Sequence, residues 1–263
     1  MKKNYQNDEF LKKRKERQKK LRKRRLKIFF TFFVIIALIT GVILSLTILF
    51  PIKRINAKGS KIYTSSQIVD NCGVNVGDNL FTASSEEVLK FLKKSLPYVE
   101  TVKFERTLPD TLNIMVTDAK EYACYNVGKK YFTVSKEGWT LNSYDKKPKN
   151  VIVIISDKVK CKVGSKAEFK EGFSHLEVGE IIDLLTRYKF NVNHIDITDT
   201  ASLKVKIENR FIVDFGKTVD LEYKIKHLNS MLKEIDKKAT GKIDLSMWNS
   251  QNTQGTFVQT DIK

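Results

Sequence analysis

The sequence is poor in the residues from which metal centres and disulfide frameworks are built. It has three cysteines, Cys72, Cys124 and Cys161, and three histidines, His175, His194 and His227. There is no CxxC pair, and the two residue types do not cluster at metal-ligand spacing. One disulfide is possible, although the spacing does not say which two cysteines would pair, and buried or inert thiols are the alternative. We therefore predict no metal site and no cofactor.

Signatures of phosphate and acid–base chemistry are also missing. Gly73 and Gly77 are not followed by the GK[ST] ending of a phosphate-binding loop. The pair Glu86–Glu87 falls in the first turn of a predicted helix, where negative charge complements the helix dipole. Asp196 and Asp199 flank a short predicted strand beside turn-forming residues. Structural roles account for all of these residues, and no small-molecule substrate is predicted.

One enzyme class deserves comparison, a cysteine transpeptidase that faces outward from a membrane. Its nucleophile would be Cys161, with His175 or His194 as the base. Cys161 stands between Lys160 and Lys162 without a recognisable nucleophile signature, and the polar face of a β segment is a simpler place for it. We therefore predict no catalytic residue and a protein that is not an enzyme.

A single long apolar run, Ile28–Phe50, contains no Asp, Glu, Lys, Arg or His. As a helix its length is about 35 Å, enough to cross a hydrocarbon core of about 30 Å with some tilt. A cleaved signal peptide would have a shorter apolar region and small residues at its end, whereas this run ends in Leu49-Phe50-Pro51-Ile52. A core helix would have a polar face, and this run is apolar all round. We predict an uncleaved transmembrane helix.

The segment before this run, residues 1–27, is strongly basic. It holds 14 Lys and Arg against three Asp and Glu, a net charge of +11 out of +18 for the whole chain. Positive charge beside a span resists translocation, which predicts a cytoplasmic amino terminus and export of residues 51–263. Nucleic-acid binding is the alternative explanation of the charge, but only +7 remains beyond the tail. A solvated topological anchor that also touches anionic headgroups explains it better, so no specific nucleic-acid binding is predicted.

Residues 51–119 have the pattern of a small domain with the order β-α-α-β-β. A strand at Ile52–Ala57 is closed by Gly59, and Thr64–Gln67 and Ser84–Glu87 both have capping-box spacing before a helix. Val102 and Phe104 alternate with charged residues, as do the apolar residues after the turn at Leu108–Asp110, namely Leu112, Ile114 and Val116. Such alternation predicts two strands, and the helices would cover one face of the sheet.

Residues 120–250 predict a second, mainly β domain with two helices, which makes the fold class α+β. The predicted strands are Tyr122–Val127, Tyr131–Val134, Val151–Ile155, Leu203–Ile207, Phe211–Phe215 and Lys242–Ser246. One helix has its apolar face at residues 181–188, and the other runs from Leu221 to Ile235. Residues 251–263 form a C-terminal strand and tail, with the strand at Gly255–Thr260. A final strand near a terminus is often an edge.

Three motifs carry a resemblance to a known family. They are IxAxG at Ile55, Ala57 and Gly59, GVNVGDNLF at 73–81, and LPYVETVKFERTLPDTLNIMVTDAKEYA at 96–123. After a basic tail and one span, they resemble the FtsQ/DivIB family of bacterial cell-division proteins, whose POTRA domain they match. Val134–Gly138 and Gly241–Leu245 resemble that family's β domain more loosely. Departures are Ala57 for Val, Tyr98 for Trp, and a missing Leu-Pro near Val151–Ile155.

The resemblance implies a scaffold of the division machinery without catalysis. Such a protein spans the membrane once, is enriched at the septum, and binds FtsB/DivIC-like and FtsL-like partners outside the membrane during septation. An edge strand can accept a partner strand. The predicted partner-binding residues are therefore Ser246, Met247, Gly255, Thr256, Phe257, Val258 and Gln259, with a second possible interface at Ile55, Ala57 and Gly59. The alternative is an ordinary sheet edge where Phe257 and Val258 cap the core.

A different membrane-anchored POTRA-type module, which docks or chaperones translocating chains, is the competing function. Such a module usually accompanies a pore-forming β-barrel, and no run of amphipathic barrel strands follows here. It would therefore need a separate partner. Depletion in the native cell separates the two functions, because filamentation without septa is expected only of a division protein.

Overall fold

The computed structural model describes residues 23, 25–42, 45, 49–236, 238–248 and 255–260. Helix α1, Arg25–Val42, is long and apolar enough to cross a membrane, and none of it is buried within the protein. A helix of this composition that is fully exposed is not a core helix, although a signal sequence passes the same test of length and composition. Most of the predicted basic tail lies outside the described residues, as do positions 43, 44 and 46–48 of the predicted span.

The elements that follow α1 have the predicted order β-α-α-β-β. They are β1 (Arg54–Lys58), α2 (Ser65–Asn71), α3 (Ser85–Ser95), β2 (Val99–Thr107) and β3 (Thr111–Asp118). The three strands form a sheet in the order β1-β3-β2. Strand β1 begins later than predicted, because the Ile52 N–H donates to the Asp78 carbonyl (2.7 Å) instead of a neighbouring strand.

The two predicted capping boxes have different outcomes. At α2 the Thr64 hydroxyl accepts from the Gln67 N–H (3.3 Å), and the Gln67 side chain accepts from the Thr64 N–H (2.9 Å). At α3 the Ser84 side chain makes no capping hydrogen bond, so the capping box predicted there is wrong. Glu86 and Glu87 do lie in the first turn of α3, where their charges complement the helix dipole.

The remaining chain is mainly β with two helices, as predicted. Its elements are β4 (Ala123–Val127), β5 (Lys130–Val134), β6 (Thr140–Tyr144), β7 (Ile152–Ile155), β8 (Val159–Lys160), β9 (Glu168–Phe169), α4 (His175–Arg187), β10 (Val192–Asp196), β11 (Leu203–Ile207), β12 (Phe211–Gly216), α5 (Leu221–Glu234), β13 (Gly241–Asp244) and β14 (Thr256–Gln259). The short strand predicted between Asp196 and Asp199 is wrong, because β10 ends at Asp196. Strands β6, β8, β9 and β10 were not predicted. They are two to five residues long and mostly polar, so they lack the alternation that marks a strand.

Nine of these strands form one sheet in the order β14-β13-β12-β11-β10-β7-β4-β5-β6, and β8 pairs with β9 separately. Two helices connect parallel neighbours, α4 between β7 and β10, and α5 between β12 and β13. Their buried residues are Val178, Ile181, Ile182 and Leu185 on α4, and Leu221, Lys224, Ile225 and Leu228 on α5. These spacings place one stripe of each helix in the hydrophobic core, which includes Val205, Val213 and Ile243 of the sheet.

The chain divides into two compact units, and the first contains residues 1–55, 74–83 and 105–113. Within it Arg106 donates from Nε to the Leu80 carbonyl (2.8 Å) and from Nη2 to the Ala83 carbonyl (3.0 Å). Leu80 is fully buried, and the Gly77 N–H donates to the Ile52 carbonyl (2.8 Å). Arg106 belongs to the motif at 96–123. Its two hydrogen bonds therefore hold the backbone at the end of the motif at 73–81 in place.

The second unit contains residues 56–73, 84–104 and 114–263, and so includes the whole nine-stranded sheet. Gly59 adopts φ +106°, and a Cβ there would overlap the Val116 carbonyl oxygen. This explains why glycine ends the IxAxG motif. The predicted domain limits, 51–119, 120–250 and 251–263, stay predictions.

Candidate functional site

Strand β14 is the terminal strand of the nine-stranded sheet. It pairs antiparallel with β13, with Gly241, Lys242, Ile243 and Asp244 opposite Gln259, Val258, Phe257 and Thr256. No strand pairs with its other side among the described residues. The predicted final strand is therefore present, and it is a sheet edge.

The hydrogen bonds of the sheet determine which backbone groups of β14 point outward. The Thr260 N–H donates to the Thr240 carbonyl (3.1 Å), while the Gly241 N–H donates away from β14 to the Arg210 carbonyl (3.0 Å). Because antiparallel pairs alternate between bonded and non-bonded positions, Thr256 and Val258 direct their backbone groups toward β13. The N–H and C=O groups of Phe257 and Gln259 consequently face the open edge.

The side chains of β14 alternate between the two faces of the sheet. Phe257 is half-buried and packs edge-to-face on Phe211, with ring centroids 6.1 Å apart. Val258 is 57% exposed, and Thr256 and Gln259 are exposed as well. Phe257 thus does cap the core, whereas Val258 does not. At this edge, Phe257 packs on one face of the sheet, and the side chains of Thr256 and Val258 are accessible on the other face.

Gly241 lets β14 approach β13 at the end of the strand pair. A Cβ at Gly241 would overlap the Val258 carbonyl oxygen and would lie 2.7 Å from Cε2 of Phe257. Any side chain there would force β14 outward, because real Cβ contacts are longer. In the sequence, Gly241 stands out only as the first residue of Gly241–Leu245. Its packing role could not be predicted, because β14 begins 15 residues later in the chain.

Ser246 and Met247 were predicted on the strand beside the last one, and this placement is wrong. Strand β13 ends at Asp244, whose carboxylate accepts from the Ser246 N–H (2.8 Å) and so starts a turn. Met247 lies in this turn and is 73% exposed. The neighbouring Trp248 stacks on His227 of α5, with centroids 5.4 Å apart. Both predicted residues are accessible, but on a turn.

Gly255 immediately precedes β14 and is half-buried. A Cβ there would lie 2.7 Å from Cδ2 of Leu245 and 3.3 Å from the sulfur of Met231. The backbone at Gly255 therefore lies against Leu245 and Met231, immediately before β14 begins. Residues 249–254 and 261–263, which flank the predicted site, lie outside the described part of the chain.

The second predicted interface falls on β1 and the residue after it. Ile55 is half-buried, Ala57 is 9% exposed, and Gly59 is exposed. The Ala57 N–H donates to the Ser65 hydroxyl (3.3 Å). Since the Ala57 methyl group is buried, it offers little surface to a partner. This interface stays a prediction.

The residues of the transpeptidase alternative occupy three different places. Cys161 lines a groove with lysines and Phe132, His175 lines another with Asp183, and His194 lies on β10. Both ring nitrogens of His175 are engaged, Nδ1 with the Tyr125 hydroxyl (2.9 Å) and Nε2 with the Lys136 carbonyl (3.0 Å). The structure does not assemble a nucleophile and its base from these residues.

Cys161 and Cys124 are poor nucleophiles because both thiols have a raised pKa. Burial raises the pKa of the Cys161 thiol to about 12. Burial also raises the pKa of Cys124 to about 12. A reactive cysteine has a depressed pKa, because the thiolate is the attacking species. Cys72, Cys124 and Cys161 are not joined in disulfides, and among the described residues no group of three His, Cys, Asp or Glu side chains suits a metal ion.

The chain is similar in sequence to one family model and to several known proteins. Residues 50–118 match a family model described as a POTRA domain, FtsQ-type. The chain is 30% identical over 206 residues to a cell division protein DivIB of Clostridium acetobutylicum, covering 75% of this chain and 80% of that relative. It is 26% identical over 235 residues to a cell division protein DivIB of Clostridium botulinum, with 87% and 90% covered. A cell division protein FtsQ of Streptomyces coelicolor is 28% identical over 100 residues, 38% of each chain.

Proposed function

Because the chain belongs to the DivIB/FtsQ family of cell-division proteins, we propose that it is a non-enzymatic scaffold of the division machinery. Its apolar helix α1 and its relatives together indicate a single-pass membrane protein with a role in division. In this proposal it binds FtsB/DivIC-like and FtsL-like single-span proteins outside the membrane and helps organise septum formation.

The observation that carries the proposal is the edge at β14. Its outward N–H and C=O groups, at Phe257 and Gln259, form a template on which a partner segment adds a tenth strand. Main-chain hydrogen bonds supply affinity in such a mode, and alternate side chains supply specificity. Phe257, Val258, Thr256 and Gln259 are the contact residues, with Gly255, Ser246 and Met247 at the end of the strand.

The orientation in the membrane follows from the basic tail. Residues 1–27 stay in the cytoplasm, and residues 51–263 lie outside as two domains with limits near residues 119 and 250. The protein accumulates at the septum, where its partners act. Ile55, Ala57 and Gly59 remain a second, weaker candidate surface.

Replacement of Gln259 by Pro tests the strand addition directly. Proline removes one outward N–H, and it leaves the hydrogen bonds between β13 and β14 intact because those involve Thr256, Val258 and Thr260. We expect Gln259→Pro to abolish co-purification of the DivIC-like partner from cells that express both proteins. The matched variant Gln259→Ala keeps the N–H and loses only a side-chain contact, so it is expected to still co-purify with the partner.

A second variant, Phe257→Lys, is expected to lose the partner as well while the exported region stays folded. Unchanged co-purification by both Gln259→Pro and Phe257→Lys would refute strand addition at β14.

Depletion in the native cell tests the division role itself. Filaments without septa are expected, and normal septation would favour the alternative POTRA-type docking module.

A further inference from the structure

One face of the sheet beside β14 is covered by helices, and no described element covers the other face. The residues that point away from α4 and α5 on β10 to β14 line a shallow groove. Cross-strand register arranges them in two rows. One row is Asp196, Lys204, Asp214, Asp244 and Thr256, and the other is His194, Lys206, Ile212, Lys242 and Val258. Each row ends at β14, on a residue of the candidate edge.

The carboxylates of the first row are satisfied by nearby donors. Asp196 accepts from the Thr198 N–H (3.0 Å) and hydroxyl (2.7 Å). Asp214 accepts from the Ser202 hydroxyl (2.9 Å) and the Gly216 N–H (2.8 Å), and Asp244 accepts from the Ser246 N–H. Residues at the strand ends therefore satisfy the three carboxylates with hydrogen bonds. Lys204 lies between Asp196 and Asp214 in the same row.

The second row is cationic and lacks such compensation. No ion pair joins Lys206 or Lys242 to a carboxylate within the described ranges. Burial, and then the charges of Lys206 and Lys147, hold the pKa of His194 below its ordinary value, whereas Asp196 opposes this. His194 is therefore neutral at neutral pH. The formal charges of the second row are those of Lys206 and Lys242, and its apolar side chains are Ile212 and Val258.

We infer that the row of His194, Lys206, Ile212, Lys242 and Val258 selects a partner strand that carries an Asp or Glu opposite Val258. This inference rests on the proposed addition of a strand to β14. Charge complementarity identifies the side chain, since the row itself offers the ammonium groups of Lys206 and Lys242 and no carboxylate. The row also continues the proposed interface without a break, because Val258 belongs to both.

The geometry allows this contact. Neighbouring strands lie about 4.8 Å apart, so a residue opposite Val258 on an added strand is about 10 Å from the backbone of Lys242. An extended acidic side chain and the long lysine side chain meet above Val258, which is smaller than either. The next partner residue along the strand faces the opposite side, beside Phe257, where an apolar side chain fits.

The test uses the full-length chain in lipid nanodiscs and the exported segment of the DivIC-like partner from the same cell. Disulfide trapping with Val258→Cys identifies the partner residue that lies opposite. Binding of the fluorescently labelled partner segment is then measured for Lys242→Glu. A matched control, Lys226→Glu, makes the same change of charge at an exposed position on α5.

The trapped partner position is expected to be Asp or Glu in the native partner. Lys242→Glu is expected to weaken binding about five- to tenfold at low salt, with a smaller effect at high salt and little change for Lys226→Glu. Changing the partner's acid to Lys should restore binding to Lys242→Glu. A neutral or basic residue opposite Val258, or equal losses for both lysine variants, would overturn the inference.

The same experiment separates this inference from the proposed function. Gln259→Pro is measured alongside the lysine variants. If Gln259→Pro still binds, strand addition itself fails and the inference fails with it. If Gln259→Pro loses binding while Lys242→Glu keeps it, only the charge selection is wrong.

Discussion

At the scale of single residues, Glu121 shows how one carboxylate joins distant parts of the sequence. Its Oε1 accepts from the hydroxyls of Tyr98 (2.7 Å), Thr133 (2.9 Å) and Tyr144 (3.0 Å). Thr133 is fully buried. Burial and the bond to Glu121 raise the pKa of Tyr98, so this phenol stays protonated and keeps donating above the ordinary pKa of tyrosine. Hydrogen bonds to a charged acceptor are stronger than those between neutral groups.

We expect Glu121→Ala to lower the free energy of unfolding by about 2 to 3 kcal/mol, because three hydroxyls lose their acceptor and one of them is fully buried. Glu121→Gln keeps an acceptor oxygen and should cost less. The measurement is urea unfolding followed by tryptophan fluorescence. Glu180→Ala, an exposed position on α4, is the control with an expected change within about 0.5 kcal/mol. Equal losses at both positions would contradict the role given to Glu121.

At the scale of elements, helix starts that look alike in sequence differ in structure. Ser174 caps α4, since its hydroxyl accepts from the Glu177 N–H (3.2 Å) and Glu177 accepts from the Ser174 N–H (2.7 Å). Ser84 precedes α3 with the same spacing to Glu87 but makes no such bond. Capping-box spacing is therefore compatible with a cap but does not ensure one, because the cap forms only when the local backbone brings the side chain to the N–H group.

This difference predicts unequal effects of the same substitution. Ser174→Ala should destabilise the protein by about 1 kcal/mol, because an N–H at the start of α4 loses its acceptor. Ser84→Ala should change stability by only a few tenths of a kcal/mol, because no side-chain bond is lost. The shift of the urea midpoint measures both. A larger loss for Ser84→Ala would show that the caps are assigned wrongly.

At the scale of the whole molecule, charge and hydropathy predict that the chain is divided between two compartments. The apolar run Ile28–Phe50 separates a tail of net charge +11 from residues that carry +7 over a length nearly eight times greater. Because translocation of Lys and Arg next to a span is resisted, the tail is expected to remain inside. Everything proposed for β14 requires that residues 51–263 lie outside.

Protease digestion of spheroplasts tests this orientation. External protease should degrade residues 51–263 and leave an epitope tag at the amino terminus intact. Replacing Arg22, Lys23, Arg24, Arg25 and Lys27 by Gln should allow part of the population to insert the other way, because the charge difference across the span shrinks. Protection of the carboxyl-terminal part in intact spheroplasts would refute both the topology and the proposed site of partner binding.

Local patterns predicted the elements whose signals are local. The POTRA order β-α-α-β-β, the two helices of the second domain and the final strand all follow from periodicity and turn residues within short windows. Two strand limits were wrong, one for a distant reason and one for a local reason. Strand β1 begins at Arg54 instead of Ile52, because the Ile52 N–H donates to the Asp78 carbonyl, 26 residues away. Strand β13 ends at Asp244 instead of Ser246, because the Asp244 side chain turns back to bind the Ser246 N–H.

The sequence by itself determined the apolar run Ile28–Phe50, the basic tail before it, the fold class and the family resemblance, because each depends on composition or on residues close together in the chain. Only the tertiary structure decided the order of the nine strands, the close passage at Gly241, the outward groups of Phe257 and Gln259, and the row that ends at Val258. These features depend on register between strands that are far apart in sequence, and a shift of one residue would move every side chain to the opposite face.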